Sequence, residues 1–399
     1  MHRTYRTLAS VILGCTAAAT FITTAYGQAP SILGAPSQAN HFIETPKGWV
    51  QAKTPWGDPD IQGMWPINYV GTVPLERCSG GGRPGGPPCD TSKAWRTDEE
   101  YKQAVDAALG RGDRGRQLIQ QGNYGQALLS GVTDPTFPQR QMSLIVDPPN
   151  GKLPELTEEG KRRSKDMRSS WGLPGEKLTF DWVTDFDSWD RCITRGMPSS
   201  MFPYRYNNGL RIIQTPGMVV LDLEMIHDSR IVYLDNRPAL PSSIKQYMGE
   251  SRGHWEGNTL VVVTTNYHEG PSNTNIGVAG SPQGNRFPVS DQMKTTEKFT
   301  RLNNDFLLYE IKTEDPVVMT RPYTVRFPIK KDDTYDWWEY ACHEGNSVIP
   351  NYVTTSRFER ANPQPADAAA PGAGRGQGGG RGQGGAAPAP APAPQGRGQ

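Results

Sequence analysis

The sequence predicts a mainly β protein built around an antiparallel β-barrel, with a long and partly helical insertion. From residue 210 onward, runs of β-branched and aromatic residues are separated by short turn signals, among them Pro216-Gly217, Gly257-Asn258 and Asn303-Asn304. These runs indicate eight or nine strands joined by short loops. Closing such a meander into a barrel removes the exposed strand edges that it otherwise leaves. No blade-length repeat is present, which argues against a β-propeller.

The predicted strands follow one another closely along the chain. They cover residues 210–215, 218–226, 229–235, 252–256, 259–267, 294–301, 306–313, 320–329 and 336–343. An earlier strand starts at the G-x-W pattern of Gly63, Met64 and Trp65. This pattern resembles the start of lipocalin-like barrels, in which the Trp plugs one end of the barrel. We therefore expect a lipocalin/calycin-like barrel; the alternative is that Trp65 is an ordinary core residue.

Residues 71–205 are predicted to form an irregular excursion from the barrel. It should contain three helices, at residues 97–110, 113–129 and 157–170, and one isolated strand at residues 142–147. Thr97 and Glu100 form a capping-box pattern at the start of the first helix, and Thr157 can cap the third. The third helix carries many basic residues, which are typical of a solvated face.

The chain outside the barrel consists of a signal, a leader and a tail. Residues 1–27 combine a basic start, an apolar run and a small-residue end, which is typical of a secretory signal peptide. Residues 28–58 form an extended leader, and residues 59–360 form a single barrel domain. Residues 361–399 are a Gly/Pro/Ala/Gln/Arg tail that is expected to be disordered. We therefore expect a periplasmic or secreted protein, with a lipoprotein box at Cys15 as the alternative for the N-terminus.

Charge and hydropathy exclude two classes of partner. The chain has 42 Lys and Arg against 41 Asp and Glu, so no global positive field attracts nucleic acid. After the signal peptide, no run reaches the roughly 20 apolar residues that a transmembrane helix needs. The expected partner is a small-molecule ligand or substrate.

Four cysteines follow the signal peptide, an even number in a compartment that permits disulfides. Three pairings are possible. Cys78 and Cys89 flank a Gly/Pro-rich loop that a local bridge closes at low entropic cost, which leaves Cys192 with Cys342 as a long-range bridge. The competing interpretation is a catalytic Cys342 thiolate beside His343.

Four residues are candidates for acid–base chemistry: His227, Arg230, His343 and Glu344. His227 lies in a predicted hairpin turn, and histidine is the usual general base near neutral pH. Arg230 falls among apolar positions of the same hairpin, where a buried guanidinium needs a carboxylate or an anionic ligand. Its candidate partners within the chain are Glu224, Glu339 and Glu344.

The last predicted strand ends in Cys342-His343-Glu344. Strand alternation sends Cys342 and His343 to opposite faces, which favours a bridged Cys342 beside a functional His343. Glu344 could orient His343 or act as an acid itself. Each histidine also has an ordinary explanation as a hydrogen-bonded structural residue.

No motif for a metal or a cofactor is present. The chain lacks H-x-H, H-E-x-x-H, C-x-x-C and the P-loop, and none of its G-x-G-x-x-G matches follows a predicted strand, as the dinucleotide fingerprint requires. We expect no cofactor and no metal; the alternative is a zinc ion bound by His227, His343 and Glu344.

Five long blocks of sequence carry a resemblance. They are C-I-T-R-G-x-P from Cys192, E-M-I-H-D-S-R-I-V-Y-L-D from Glu224, S-R-G-H-W-E-G-N-T-L-V-V-V-T-T-N from Ser251, E-K-F-T-R from Glu297 and E-Y-A-C-H-E-G-N from Glu339. The blocks resemble an uncharacterised family of secreted acidobacterial and proteobacterial proteins, over residues 55–360. The W-E-G-x-T-L-V-V segment is also similar to small lipocalin-like barrel families, which favours the barrel. The resemblance implies no particular activity.

Two functions agree best with these observations. The first is an extracytoplasmic acid–base enzyme of the lyase, hydratase or hydrolase type that acts on a small organic molecule at the barrel mouth. The alternative is a non-catalytic small-molecule-binding protein of the cell envelope, whose barrel is lined by Trp and Tyr. The candidate ligand contacts are Tyr233, Trp255, Trp337 and Asn346. A third interpretation is a structural envelope protein with the tail as a tether.

Overall fold

A single ten-stranded β-sheet forms the centre of the molecule. The computed structural model describes residues 43, 45–78, 90–123, 139–170, 176, 178–204, 206–269 and 287–363. The strands are β1 (Gly63–Met64), β2 (Ile145–Asp147), β3 (Leu210–Thr215), β4 (Met218–Leu223), β5 (Ser229–Tyr233), β6 (Glu250–Glu256), β7 (Thr259–Thr265), β8 (Lys294–Arg301), β9 (Phe306–Glu314) and β10 (Tyr323–Lys330). Their order across the sheet is β1-β3-β4-β5-β6-β7-β8-β9-β10-β2. The mainly β class that the sequence predicts is confirmed.

The sheet curls into a half-barrel. β1 and β2 occupy its two edges and do not pair with each other within the described residues, so the expected closed barrel is not formed. The curl still brings β1 close to the end of β10, because the Asp332 amide donates a 3.1 Å hydrogen bond to the Met64 carbonyl. All neighbouring strands are antiparallel except β5 and β6, where Val232 pairs with Ser251 in a parallel register. The prediction of a simple antiparallel meander is wrong at this step, where residues 234–249 cross over.

Strand alternation places one face of each long strand in the core. On β9, for example, Leu307, Tyr309, Ile311 and Thr313 are buried, and the residues between them are half-buried. Trp65 of the G-x-W pattern is fully buried in the same core, and its indole nitrogen donates a 2.9 Å hydrogen bond to the Ile61 carbonyl.

Within the described ranges, three α-helices accompany the sheet: α1 (Asp98–Gln120), α2 (Glu158–Asp166) and α3 (Val348–Ala361). α1 continues through Gly110, where the sequence predicted its end. Each glycine inside a helix costs only about 1 kcal/mol relative to alanine, and the helix continues through Gly110, Gly112 and Gly115. α2 begins as predicted, with the Thr157 hydroxyl accepting a 2.9 Å hydrogen bond from the Gly160 amide.

Strand β2 belongs to the sheet rather than standing alone. It pairs with β10 at Asp147 opposite Thr324 and Ile145 opposite Val325. The excursion of residues 71–205 therefore contributes an edge strand to the half-barrel.

Residues 336–343 do not form the predicted strand; the chain runs there without strand pairing and turns into α3. The carboxylate of Glu224 binds this segment: it accepts hydrogen bonds from the Tyr335 hydroxyl at 2.7 Å and from the Trp338 backbone amide at 3.0 Å. Trp338 is 67% exposed, so the aromatic composition that predicted a buried strand belongs to a surface segment. The helix α3 was not predicted; its Pro350 lies in the first turn, where a proline is tolerated.

Several predictions concern residues outside the described ranges: the signal peptide, most of the tail and the last part of the helix predicted at residues 113–129, of which residues 113–120 belong to α1. The described part of the leader, residues 45–58, touches the domain through a 3.0 Å hydrogen bond from the Trp49 indole to Asn304. Within the described ranges, no helix has the length and apolar character needed to cross a membrane.

Candidate functional site

A cleft of about 480 Å³ lies at the end of the sheet where β3 begins and β4 ends. It is lined by Trp189, Asp190, Tyr206, Asn207, Glu339, Tyr340, Ala341, Cys342, Glu344, Gly345, Asn346 and Val348. The volume falls within the range of small-molecule sites. Of the predicted catalytic and ligand-contact residues, Glu344 and Asn346 line this cleft.

Covalent and polar links hold the walls of the cleft together. Cys192 and Cys342 form the long-range disulfide that the sequence suggested, with their Cα atoms 5.6 Å apart. The Asn346 amide donates to the Cys192 sulfur at 3.3 Å, so Asn346 braces the bridge as well as lining the cleft. Cys78 is also disulfide-bonded, and its predicted partner Cys89 lies outside the described residues.

Strained backbone concentrates around the cleft. The non-glycine residues of the described ranges with positive φ are Cys78, Cys192, Asn207, Ile226, His227 and Asn266. Four of these six surround the cleft: Cys192 is bridged to its wall, Asn207 lines it, Ile226 packs in one cluster with Tyr340, and the His227 ring lies 6.4 Å from the Tyr340 ring. A positive φ is unusual for a β-branched residue such as Ile226. Such strain accumulates at ligand-binding and catalytic sites, which supports a functional role for the cleft.

Aromatic side chains form one wall of the cleft. The Trp189 indole donates a 3.2 Å hydrogen bond to the Tyr340 hydroxyl. The Tyr204 ring meets Trp189 edge-on with centroids 5.0 Å apart, and Tyr206 meets Tyr204 in the same way at 5.0 Å. Trp189 is 6% exposed and Tyr206 is 47% exposed, so the wall runs from a buried base to an open edge.

A buried cation lies directly behind this wall. The Arg195 guanidinium is 5.0 Å from the Trp189 ring centroid and 4.9 Å from that of Tyr204, and the whole residue is 2% exposed. Its Nη1 donates to the Phe202 carbonyl at 3.3 Å. Burial lowers the pKa of Arg195 to about 10, so the guanidinium remains protonated at neutral pH.

Two acidic side chains near the cleft are also buried in part. Burial raises the pKa of Asp228 to about 6, against the opposing effects of a hydrogen bond from Thr194 and the positive charges of Arg230 and His227. The Thr194 hydroxyl donates to Asp228 at 2.5 Å. Burial also raises the pKa of Asp190, which lines the cleft.

Arg230 lies inside the half-barrel and not at the cleft. It forms a two-pronged ion pair with Glu297 of β8, of which the Nη1–Oε1 distance is 2.9 Å, and its Nη2 donates to the hydroxyls of Ser251 and Thr264 at 3.1 Å. The Tyr309 hydroxyl donates to the same carboxylate at 2.9 Å. Burial lowers the pKa of Arg230, and the charge of Glu297 more than compensates, so its pKa is raised. The partners expected from the sequence, Glu224, Glu339 and Glu344, were wrong, because the curl of the sheet brings β8 to β5.

The four predicted acid–base residues do not converge. His227 is exposed on its strained turn, and His343 is exposed in the turn before α3 without lining the cleft. Glu344 is exposed on the cleft rim. Within the described ranges no group of three or more His, Cys, Asp or Glu side chains is arranged to hold a metal. The alternative of a zinc ion on His227, His343 and Glu344 therefore has no support.

Three of the four predicted ligand contacts lie away from the cleft. The ring of Tyr233 is covered by the guanidinium of Arg237 at 3.7 Å, and Trp255 packs against the main core. Trp337 stacks with Arg211 at 4.6 Å. Only Asn346 has the predicted position.

Comparisons of the chain with protein-family models, with curated proteins and with solved structures found no match. The interpretation of the cleft therefore depends on its own residues. The predicted site residues did not include Trp189, Arg195, Tyr204 and Tyr206. One signal was present: residues 189–207 combine Trp, Tyr, Arg and Asn around a cysteine, and that cysteine belongs to the predicted long-range disulfide.

Proposed function

We propose that this chain is an extracytoplasmic small-molecule-binding protein whose ligand lies in the aromatic cleft. The observation that carries the proposal is the convergence of Trp189, Tyr206 and Tyr340 on one cleft of about 480 Å³, with amide side chains at its edge. Binding sites for small molecules combine apolar walls with a few polar groups in this way. Aromatic rings stack on planar ligands and on the apolar faces of sugars.

The proposed compartment has two supports. The Cys192–Cys342 disulfide is of the kind that persists outside the reducing cytoplasm, and the first 27 residues have the pattern of a secretory signal. We extend the proposal to a lipocalin-like use of the fold, in which the strand ends of a curled sheet hold the ligand. Membership of the secreted bacterial family is part of the same proposal and depends on the sequence blocks alone.

Acid–base catalysis is a second candidate, favoured by one observation. Asp228, with its pKa raised by burial to about 6, can hold and release a proton near neutral pH. It follows His227 on a strained turn beside Tyr340. In this candidate mechanism, Asp228 and His227 would be the acid–base residues, in place of the expected combination of His227, Arg230, His343 and Glu344.

A ligand screen with matched variants tests the proposal. Purified protein is screened by thermal shift against a library of aromatic acids, their amides and small sugars, and each hit is titrated against Tyr206→Ser and Tyr247→Ser. Tyr206 lines the cleft, whereas Tyr247 stacks on His268 with centroids 4.8 Å apart at a different place. We expect Tyr206→Ser to weaken binding roughly tenfold, equivalent to about 1.4 kcal/mol, and Tyr247→Ser to leave it unchanged.

Two results would count against the proposal. Hits that bind Tyr206→Ser and wild type equally would place the ligand elsewhere. Conversion of a hit to a new product, detected by mass spectrometry and abolished by Asp228→Asn, would favour the enzyme instead.

A further inference from the structure

Arg195 has an unusual set of partners for a buried arginine. Its Nη1 donates to a carbonyl oxygen, that of Phe202, at 3.3 Å. Its Nε and Nη2 have no hydrogen-bond partner among the described residues, although the side chain is buried. A buried donor without a partner costs about 1–3 kcal/mol, and more when it is charged, so an arrangement of this kind needs an explanation.

The charge of Arg195 is also unbalanced. No salt bridge to Arg195 is formed within the described ranges, and the groups that influence its pKa besides burial are the phenols of Tyr204, Tyr206 and Tyr340. Two other buried arginines are neutralised by carboxylates: Arg230 by Glu297 and Arg140 by Asp98. A third, Arg77, has no salt bridge within the described ranges, but its guanidinium donates to the carbonyls of Thr91 and Pro149 at 2.6 and 2.8 Å.

The two unpartnered nitrogens lie on the same edge of the guanidinium. Nε and Nη2 present two parallel N–H groups whose spacing matches the two oxygens of a carboxylate, and such bidentate pairs are among the strongest hydrogen bonds in proteins. A single guanidinium neutralises one negative charge. This donor set therefore matches a monoanionic carboxylate better than a phosphate.

The position of Arg195 connects it to the cleft. Its guanidinium stacks on Trp189, which lines the cleft. Arg195 also lines a second, small cavity together with Ser200, Phe202 and Asn207, and Asn207 lines both cavities. The small cavity has room for about one water molecule, so it must widen to admit the carboxylate group of a ligand whose body stays in the larger cleft.

We propose that Arg195 binds the carboxylate of the ligand, so that the ligand class is an aromatic or similarly planar carboxylic acid. The ring of the ligand lies against Trp189, Tyr206 and Tyr340, and the carboxylate reaches the Nε–Nη2 edge past Asn207. This inference depends on the proposed binding function and makes it specific.

Matched pairs of acid and amide test the inference by isothermal titration calorimetry. The probes are benzoate with benzamide and 2-naphthoate with 2-naphthamide, and sodium bromide serves as an inorganic anion. We expect wild-type protein to bind each acid at least tenfold more tightly than its amide. Arg195→Met should lose that preference while it still binds the amides.

Two further variants act as controls. Arg195→Lys keeps the charge without the two-pronged geometry and should lose most of the preference. Arg211→Met removes an arginine that stacks on Trp337 outside the cleft and should leave the preference intact. Circular dichroism of each variant verifies its folding. If Arg195→Met does not fold, the comparison of wild type with Arg195→Lys still tests whether the two-pronged geometry of Arg195 produces the preference for acids.

The remaining outcomes separate the inference from the proposed function. Equal binding of acid and amide by wild type overturns the role of Arg195 and leaves the binding function standing. Bromide binding that competes with the acids and disappears in Arg195→Met assigns the site to an inorganic anion and overturns the inference. Absence of binding for every probe at millimolar concentration, acids and amides alike, overturns both.

Discussion

Arg230 and Arg195 are both buried arginines, but they lie in contrasting surroundings. In the half-barrel interior, Arg230 has the carboxylate of Glu297 and two hydroxyl groups as partners. Behind the cleft wall, Arg195 has two aromatic rings and one carbonyl oxygen. The first cation is neutralised by a carboxylate of the chain, whereas the second has no carboxylate partner in the part of the chain that the structure describes.

This difference separates a structural charge from one that is available to a ligand. A buried ion pair with its hydrogen bonds made contributes little net stability, but it is expensive to break. The Arg230–Glu297 pair joins β5 to β8 across the half-barrel, and the Tyr309 hydroxyl completes it. Arg195 joins no two strands in this way, which agrees with a role in recognition.

The largest expected effect is the loss of the interior carboxylate. Glu297→Gln leaves Arg230 charged and buried without its counter-ion, and we expect the free energy of unfolding to fall by about 3–5 kcal/mol. Arg195→Met should change it by no more than about 1 kcal/mol, because no carboxylate loses its partner. Urea denaturation of both variants measures the contrast.

The double variant Arg230→Met/Glu297→Leu is the control for this prediction. Removal of both charges should recover part of the loss, since apolar residues often replace a buried ion pair at little cost. Equal losses in Glu297→Gln and Arg195→Met would abolish the distinction between the two arginines.

The next effect concerns the covalent link of the cleft. Cys192→Ser/Cys342→Ser opens a bridge between residues 150 positions apart, and we expect a loss of about 2–5 kcal/mol in stability. Ligand affinity should fall as well, because Cys342 lines the cleft. Denaturation curves that coincide with and without reductant would contradict this prediction.

The sequence predicted the sheet better than the site, for physical reasons. Strand alternation and turn residues are local signals, so β3, β8 and β9 were located within about one residue. Residues 336–343 were wrongly predicted as a strand because their conformation depends on a hydrogen bond to Glu224, more than a hundred positions earlier in the chain. Likewise, the partner of Arg230 depends on the curl of the sheet, and the surroundings of Arg195 on packing between distant segments.

A smaller effect should appear in the pH dependence of Asp228. Its pKa is raised from 3.8 to about 6 in the native state, so between these values the native protein holds a proton that the unfolded chain has lost. Stability therefore falls as pH rises from about 4 to 6 and then stays lower by about 1–3 kcal/mol. Asp228→Asn lacks this penalty.

Urea denaturation of wild type and Asp228→Asn at pH 4, 5, 6 and 7 tests the prediction. The variant should gain stability relative to wild type across this range. His227→Gln is combined with each, because the charge of the neighbouring His227 lowers the pKa of Asp228. A difference that is independent of pH would show that Asp228 does not hold its proton in the native state.

The smallest expected effect compares two adjacent residues in the turn before α3. Glu344 is on the cleft rim, and His343 is exposed without lining the cleft. If the ligand is an aromatic acid, the charge of Glu344 opposes its approach, and Glu344→Gln should tighten binding roughly two- to fivefold, corresponding to an exposed charge interaction of up to about 1 kcal/mol. The gain should shrink at high salt, where exposed charges are screened.

His343→Gln should leave affinity unchanged and alter stability by no more than about 0.5 kcal/mol. Calorimetry at two salt concentrations measures both variants; a loss of binding in His343→Gln with no change in Glu344→Gln would return the functional role to His343 and place the ligand outside the aromatic cleft.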